Sequence, residues 1–538
     1  MAGRIGRTPL TGQLRRTLAA HGEAERTGVP VEDVLGQAEE RRKREVSRRG
    51  FLKIAGTATA AGAAFALPGL SAAARAASPS IIVVGAGLAG VRAAHWLYKV
   101  KGISTTVYEG NTRAGGRCYS LRNYFANGVT VEHGGALINT DHNTIRSLIN
   151  NLGLSLDTVN AGSYNGWVDK FWIDGADYAY DAANADWGQV YNAMRSAISV
   201  APWCQTYDNK TAGGVTLDNM TVNEWLDVNV PGGLASRFAK LMQSNAVAEY
   251  GLDPDQQSAL NLVYLLGWNS RNSLDPLNGA DEKYAVRGGN DQVVTRMLDQ
   301  LPASTVQYGH KLVAVKRNAS GSVRCTFAVG AGSYKDVTAD RVIMAIPFTT
   351  LRDCDLSQSG FSALKLRTIN ELGLGANAKL HVEVSRRPWI DSGYGGSTYT
   401  NMSQFQCGWD DTSAVAPPGG VFCFFPGGRQ VTNGWSGAAF GVPTAAQVSS
   451  YLAQLEPIHP GVTAAYTGKA YRDFWHANPW SKGAYTCQKV GQYTTLFGAG
   501  AVPEGNVHFA GEHTSVEYFG YLNGAVETGE RAAKAAVV

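Results

Sequence analysis

The chain has 538 residues, 44% hydrophobic and 17% charged, too long for one ordinary core and too apolar for a disordered chain, so two or more globular domains are expected. Its formal net charge of +4 comes from the N-terminus: residues 1–77 hold 13 Lys+Arg against 7 Asp+Glu, and the rest holds 35 against 37, a net of −2. A nearly neutral body has no electrostatic footprint for nucleic acid, and the 63 scattered glycines speak for tight turns rather than a collagen repeat.

The leader comes first. Ser47-Arg48-Arg49-Gly50-Phe51-Leu52-Lys53 precedes an Ala/Gly-rich apolar run from Ile54 to Leu70, and Ala74-Arg75-Ala76 offers a cleavage site. A basic n-region, a weakly apolar h-region and small residues at the cut define a signal peptide, and the paired arginines place it in the twin-arginine class. That route carries folded cargo, cofactor included, so residues 1–77 are expected to be removed and the mature protein to be extracellular or periplasmic. The run has about 17 residues, short of the ~20 that span a bilayer, so no stable membrane anchor is expected. The seven cysteines, Cys118, Cys204, Cys325, Cys354, Cys407, Cys423 and Cys487, show no C-x-x-C or Cys/His metal spacing, so unpaired thiols and no metal are expected.

Ile81-Ile82-Val83-Val84 reads as a strand, Gly85-Ala86-Gly87-Leu88-Ala89-Gly90 as a turn, and Val91 to Tyr98 as a helix. The first glycine allows the turn, the second lets backbone approach a pyrophosphate, and the third lets helix pack on strand. The helix N-terminus offers free N–H groups to phosphate. A second strand, Ser104 to Tyr108, ends at Glu109, 19 residues past the last glycine, the position of a ribose-binding carboxylate. Together these predict a Rossmann-like α/β dinucleotide-binding domain.

Arg113-Ala114-Gly115-Gly116-Arg117 and Val131-Glu132-His133-Gly134-Gly135-Ala136 follow. With these segments the chain resembles the flavin-containing amine oxidase family: monoamine oxidases, polyamine oxidases, L-amino acid oxidases and their bacterial relatives. The resemblance implies FAD, held on the pyrophosphate side by Gly115, Gly116 and Arg117, with Gly134, Gly135 and Ala136 approaching the flavin ring. It continues through Arg287-Gly288-Gly289-Asn290 and its helix to Leu301, a strand Val306 to Val315 that puts the Leu312 backbone against adenine, and the strand Arg341 to Pro347.

Further on, Ala378 to Val384 resembles the family strand whose lysine, here Lys379, holds a water near flavin N5. Such a cation would stabilise the negative charge that oxygen reduction builds. Asp473 to Tyr485 resembles the monoamine oxidase segment whose cysteine binds flavin covalently. Here Ala484 takes that place, so FAD is expected to be bound without a covalent bond. Tyr485 and Tyr521 fall on the family's aromatic pair that sandwiches the substrate nitrogen, and Trp475 on a flavin-proximal position. Gly505 to Thr514 and Gly520 to Ala533 match its C-terminal FAD motif, implying Gly511, Glu512 and Leu522 near the isoalloxazine or ribityl chain.

The implied reaction is oxidation of an amine C–N bond, with a hydride equivalent passing to the flavin, imine hydrolysis to an aldehyde or ketone, and reoxidation by O2 to hydrogen peroxide. L-amino acid oxidases carry an arginine two residues after the glycine pair to clamp the substrate carboxylate; here that position is Leu137, which favours an amine without an α-carboxylate. An L-amino acid oxidase and a dehydrogenase with another electron acceptor are the alternatives. Glu249, Asp275 and Asp281 are candidates for a polyamine tunnel by residue type alone. The aromatics of 160–230 (Tyr164, Trp167, Phe171, Trp172, Tyr178, Tyr180, Trp187, Trp203 and Trp225) suit either an aromatic-amine pocket or helical core. The expected architecture is an FAD domain of discontinuous segments, 79–140, 284–347 and 482–538, and an α+β substrate domain with a large mixed sheet, 141–283 and 348–481. Partners are the small-molecule amine, O2 and the twin-arginine export machinery, and a homodimer is compatible with the resemblance.

Overall fold

Ile81–Val84 is buried on both faces, as four consecutive β-branched residues require, and it sits at the centre of a parallel sheet. The computed structural model describes residues 79–159, 169–277, 280–416 and 418–538; the leader, Tyr164 and Trp167 lie outside the described residues. The parallel sheet runs Val507–Phe509, Arg341–Met344, Ile81–Val84, Thr106–Tyr108, Val306–Gln307. Its strands come from four separated stretches of chain, so this half of the α/β fold is discontinuous in sequence.

The helix Leu88–Lys101 makes the first crossover. It ends where Gly102 adopts φ +68° and its N–H bonds back to the Tyr98 carbonyl. The C-terminal helix Leu522–Ala535 packs directly on it: a Cβ at Gly529 would fall 2.4 Å from the Ala89 carbonyl oxygen. The strand expected over Val306–Val315 is broken in two. Val306–Gln307 closes the edge of the parallel sheet, whereas Lys311–Arg317 pairs antiparallel with Val323–Ala328 in a second, four-stranded sheet. The chain turns at Gly309, at φ +68°, and the next N–H, of His310, bonds to the Glu109 carbonyl.

The third sheet is mixed and eight-stranded, in the order Phe440–Gly441, Tyr466–Asp473, Lys379–Val384, Gly420–Phe425, Cys407–Asp410, Thr398–Thr400, Lys170–Ile173, Ala176–Asp177. Lys379–Val384 lies inside it and is buried throughout, so alternation does not separate water from core there. Instead it separates two kinds of interior. Leu380, Val382, Phe422 and Phe424 pack with Val448, Tyr451 and Leu452 of the helix Ala445–Leu455. Lys379, His381 and Glu383 take the opposite face and are also buried.

Helices Tyr180–Val200, Arg237–Tyr250 and Ala259–Leu266 form a further core with Phe171, Trp187 and Trp225. All seven cysteines are unpaired. Among the described residues no helix is long and apolar enough to cross a membrane.

Candidate active site

A cavity of about 650 Å³ runs from the glycine-rich turn to the eight-stranded sheet. The residues expected to bind cofactor or carry the chemistry all lie on its wall except Gly90. Gly90 acts behind the wall, since a Cβ there would stand 1.9 Å from the Gly85 carbonyl oxygen. Gly85 takes φ +99°, and a Cβ at Gly87 would meet nothing within 4 Å, so its Cα faces open cavity. Gly87 also caps the first helix without a side-chain hydrogen bond, leaving the helix N-terminus available to an anion. Glu109 accepts the Ala86 N–H at 2.6 Å and the Asn111 N–H at 2.8 Å. Burial pushes its pKa up, partly offset by those N–H groups. Gly115 and Gly116 both have positive φ, and the Gly115 N–H bonds to the Ala86 carbonyl at 2.8 Å, so the second glycine loop lies on the first. Leu312 closes the wall, 5% exposed.

Midway, the cavity narrows around backbone. A Cβ at Gly135 would meet Leu522 Cδ2 at 2.7 Å, and one at Gly134 would meet the Arg117 carbonyl oxygen at 2.0 Å. Trp475 Nε1 donates to the His133 carbonyl at 2.7 Å, and Asn290 Nδ2 donates to the Gly135 and Ala136 carbonyls. Arg117 Nη1 donates to the Ala484 carbonyl at 2.6 Å and to Glu512 at 2.8 Å, and Glu512 also accepts the Gly520 N–H. Burial would raise the Glu512 pKa, but Arg117 and these hydrogen bonds bring it below the usual carboxylate range. Gly511 enters this corner at φ +125°. Lys379 Nζ donates to the Glu132 carbonyl at 2.8 Å and the Gly134 carbonyl at 2.9 Å. An ammonium has three N–H bonds, so one remains for the cavity.

At the far end stand Tyr485 and Tyr521. The Tyr485 hydroxyl donates to the Ala248 carbonyl at 2.9 Å, and the Tyr521 ring meets His142 edge-on at 4.8 Å between centroids. Leu137 is on this wall. So are Glu249 and Asp275, together with Asp169, Glu282, Tyr399, Cys407 and Trp409, for which the linear sequence carries no signal. Burial, then the carboxylates of Glu249, Asp169 and Glu282, raise the Cys407 thiol pKa well above its usual value, which marks this end as electronegative. Asp281 is elsewhere, hydrogen-bonded to Thr140. None of the described aromatics between 169 and 230 lines the cavity; Phe171, Tyr178, Trp187 and Trp225 are core, Tyr180 and Trp203 pack against it, and Trp172 packs on the core of the eight-stranded sheet.

The walls fit a dinucleotide with a flavin ring. The volume falls within the range of ligand pockets, roughly 300–1,000 Å³, and glycine backbone lines the phosphate end. His513 presents a buried ring on the wall with neither nitrogen hydrogen-bonded to protein, and burial lowers its pKa to about 3, so it is a neutral donor and acceptor waiting for a polar partner. Its position directly after Glu512 in the C-terminal motif was the available signal.

Comparison with known proteins agrees. The family model described as flavin containing amine oxidoreductase matches residues 88–537, and the chain belongs to that family. It is 26% identical over 476 residues to human amine oxidase [flavin-containing] B, covering 84% of this chain and 85% of that one. It is 22% identical over 481 residues to an L-amino acid dehydrogenase of Synechocystis, covering 85% and 94%. Among solved structures, cyclohexylamine oxidase from Brevibacterium oxydans superposes with a TM-score of 0.72 at 20% identity, covering 86% of this chain and 99% of that one. The protein is therefore a flavin-dependent oxidoreductase acting on amine donors, with the mixed α/β fold of the FAD amine oxidases.

Proposed function

We propose that this flavoenzyme oxidises the C–N bond of an amine lacking an α-carboxylate, uses O2 as acceptor, and holds FAD without a covalent bond. The observation that carries the substrate reading is the wall around Leu137. Among the described residues the only arginines on the cavity wall are Arg113 and Arg117. Arg113 lies 3.8 Å over the Tyr119 ring and donates to the Gly116 carbonyl, and Arg117 is spent on Glu512 and the Ala484 carbonyl. Residues 160–168, 278–279 and 417 contain no arginine either. The substrate end instead carries carboxylates, which favour a cation and repel an amino acid's carboxylate.

FAD, when bound, supplies the two-electron chemistry, taking a hydride equivalent from the substrate α-carbon and delivering electrons to oxygen. The residues do the rest. Glu109 would accept a ribose hydroxyl, and the Gly87 and Gly115-Gly116 backbone would hold the phosphates. Tyr485 and Tyr521 would align the substrate nitrogen between their rings. Lys379 would direct its remaining N–H toward the flavin edge through water and stabilise negative charge on the way to peroxide. Alanine at 484 has no nucleophile, so acid precipitation should release all the flavin into the supernatant.

The deciding assay follows peroxide while tyramine, phenethylamine, putrescine, L-phenylalanine and L-lysine are supplied. Peroxide with amines alone is expected. Turnover of L-amino acids alone would overturn the reading of Leu137, and flavin bleaching without peroxide would make the enzyme a dehydrogenase. The twin-arginine leader belongs to the same reading. Signal-dependent appearance of folded, yellow protein outside the cytoplasm, lost in R48K/R49K, is its test.

A further inference from the structure

Beneath Lys379, the inner face of the eight-stranded sheet carries charge where a sheet interior normally carries none. The antiparallel register sets Lys379 opposite Asp473 and His381 opposite Cys423, and Trp409 follows on the next strand. His381 has no exposed surface. Its Nε2 lies 3.1 Å from Asp473 Oδ2, and its Nδ1 lies 3.2 Å from Asp411 Oδ2. The second contact is close but is not an aligned hydrogen bond. Each carboxylate is also anchored at its other oxygen: Asp473 Oδ1 by His133 Nδ1 at 2.5 Å, Asp411 Oδ1 by Trp409 Nε1 at 3.0 Å. Asp411, His133 and Lys379 all line the cavity, so this buried array reaches the cavity wall.

A neutral imidazole has one N–H and one lone pair. Between two carboxylates, the lone pair would face an anionic oxygen with no proton between them. A doubly protonated ring donates to Asp473 and sets its positive charge against Asp411. Glu132, its pKa raised by burial to about 8, adds no charge at neutral pH, so Asp411 and Asp473 are the anions of the array and His133, His381 and Lys379 its basic groups. Burial opposes charge on His381, but Cys423 and the two aspartates outweigh it and hold the ring well above its ordinary pKa.

We propose that His381 is a fixed cation clamped between Asp411 and Asp473, and that this array is a positioning device that sets the electrostatic field at the flavin-facing edge of the cavity behind Lys379. The step rests on the flavin reading above. It assigns roles to His381, Asp411 and Asp473 that no motif of the sequence marks. The residues act through charge, not by touching substrate.

A field has a sign, and packing does not, which gives the test. In the purified holoenzyme, His381→Gln removes a positive charge and Asp473→Asn removes a negative one. Sulfite, an anion that binds oxidised flavin, serves as probe. Its dissociation constant should rise in H381Q and fall in D473N, each by about tenfold, the effect of one unit charge nearby in a protein interior. Asp411→Asn, on the cavity wall, should shift in the same direction as D473N, and is read in its place if the deeper variant does not fold. Shifts of one sign in both charge classes, or none, would overturn the proposal. Independently, 15N-histidine spectra of the wild type should contain a ring protonated on both nitrogens that is missing from H381Q. A neutral His381, or a stoichiometric divalent metal found by elemental analysis on the His381, Asp411 and Cys423 donors, would overturn it as well. Protein purified without flavin would sink the cofactor reading and leave the histidine spectra to decide this one.

Discussion

The two ends of the cavity are built from different materials. The end proposed for the nucleotide is mainly backbone: Gly85, Gly87, Gly115 and Gly116 turn two loops onto each other, and the Glu109 carboxylate holds the Ala86 N–H. The end proposed for the substrate is side chains from segments far apart in the chain, among them Leu137, Glu249, Tyr399, Tyr485 and Tyr521. The first kind of site depends on close backbone approach: a Cβ at Gly85, Gly90 or Gly115 would fall within 3 Å of a neighbouring carbonyl oxygen. The second depends on charge and shape and should degrade by degrees.

The largest effect should therefore come from the nucleotide end. Gly90→Val places its Cβ 1.9 Å from the Gly85 carbonyl oxygen, with Ala345 Cβ 3.2 Å away, and backbone cannot give way as a flexible side chain would. The variant should purify without flavin, read as the absorbance ratio of flavin to protein. A fully loaded G90V would break the contrast between the two ends.

Where the ends meet, Glu132 is buried, and burial raises its pKa to about 8 despite hydrogen bonds from the Asn290 N–H and the Ser120 hydroxyl. The folded state thus holds a proton that the unfolded chain releases near pH 4.5. Glu132 contributes stability below that value, and the contribution is lost as pH rises through about 8. Wild type should lose roughly 3–5 kcal/mol relative to Glu132→Gln between pH 4 and pH 9. Denaturant midpoints at both ends of that range measure it, and parallel curves would show that folding leaves the carboxyl's pKa unshifted.

Lys379 belongs to both ends. Lys379→Met removes the donor to two buried carbonyls and the cation facing the cavity. Reoxidation by O2 in stopped flow should slow about a hundredfold, the scale of losing one preorganised charge, with anaerobic reduction by substrate changing far less. Equal losses in both half-reactions would move Lys379 from oxygen chemistry to general scaffolding.

The same contrast decides what the sequence makes legible. Glycine motifs are readable because the constraint is local: a turn, a close approach and a helix start fall within six residues, Gly85 to Gly90, and the structure puts them where the spacing implies. The C-terminal helix and the break-free strands of the parallel sheet are readable for the same reason. The Val306–Val315 strand is misjudged because nothing local shows that Gly309 hands the chain from one sheet to another. Asp169, Glu282 and Trp409 leave no trace in the sequence, since their roles arise only when separated strands and loops converge. His381 is the sharpest case. Alternation on Lys379–Val384 suggests one wet face, yet both faces are buried, and the polar residues are there because another layer covers them.

The smallest effect concerns the rings. If the substrate end works through shape and π-faces, the Tyr485 hydroxyl should matter little. It donates to the Ala248 carbonyl at 2.9 Å, beside Glu249, and holds the ring rather than the substrate. Tyr485→Phe keeps the ring and loses that bond, worth about 1 kcal/mol, or about fivefold in KM, with kcat unchanged. The split matters more than the size. A fall in kcat of tenfold or more would mean that the hydroxyl takes part in the transition state, and the tyrosine pair would then be polar machinery rather than two walls aligning a nitrogen.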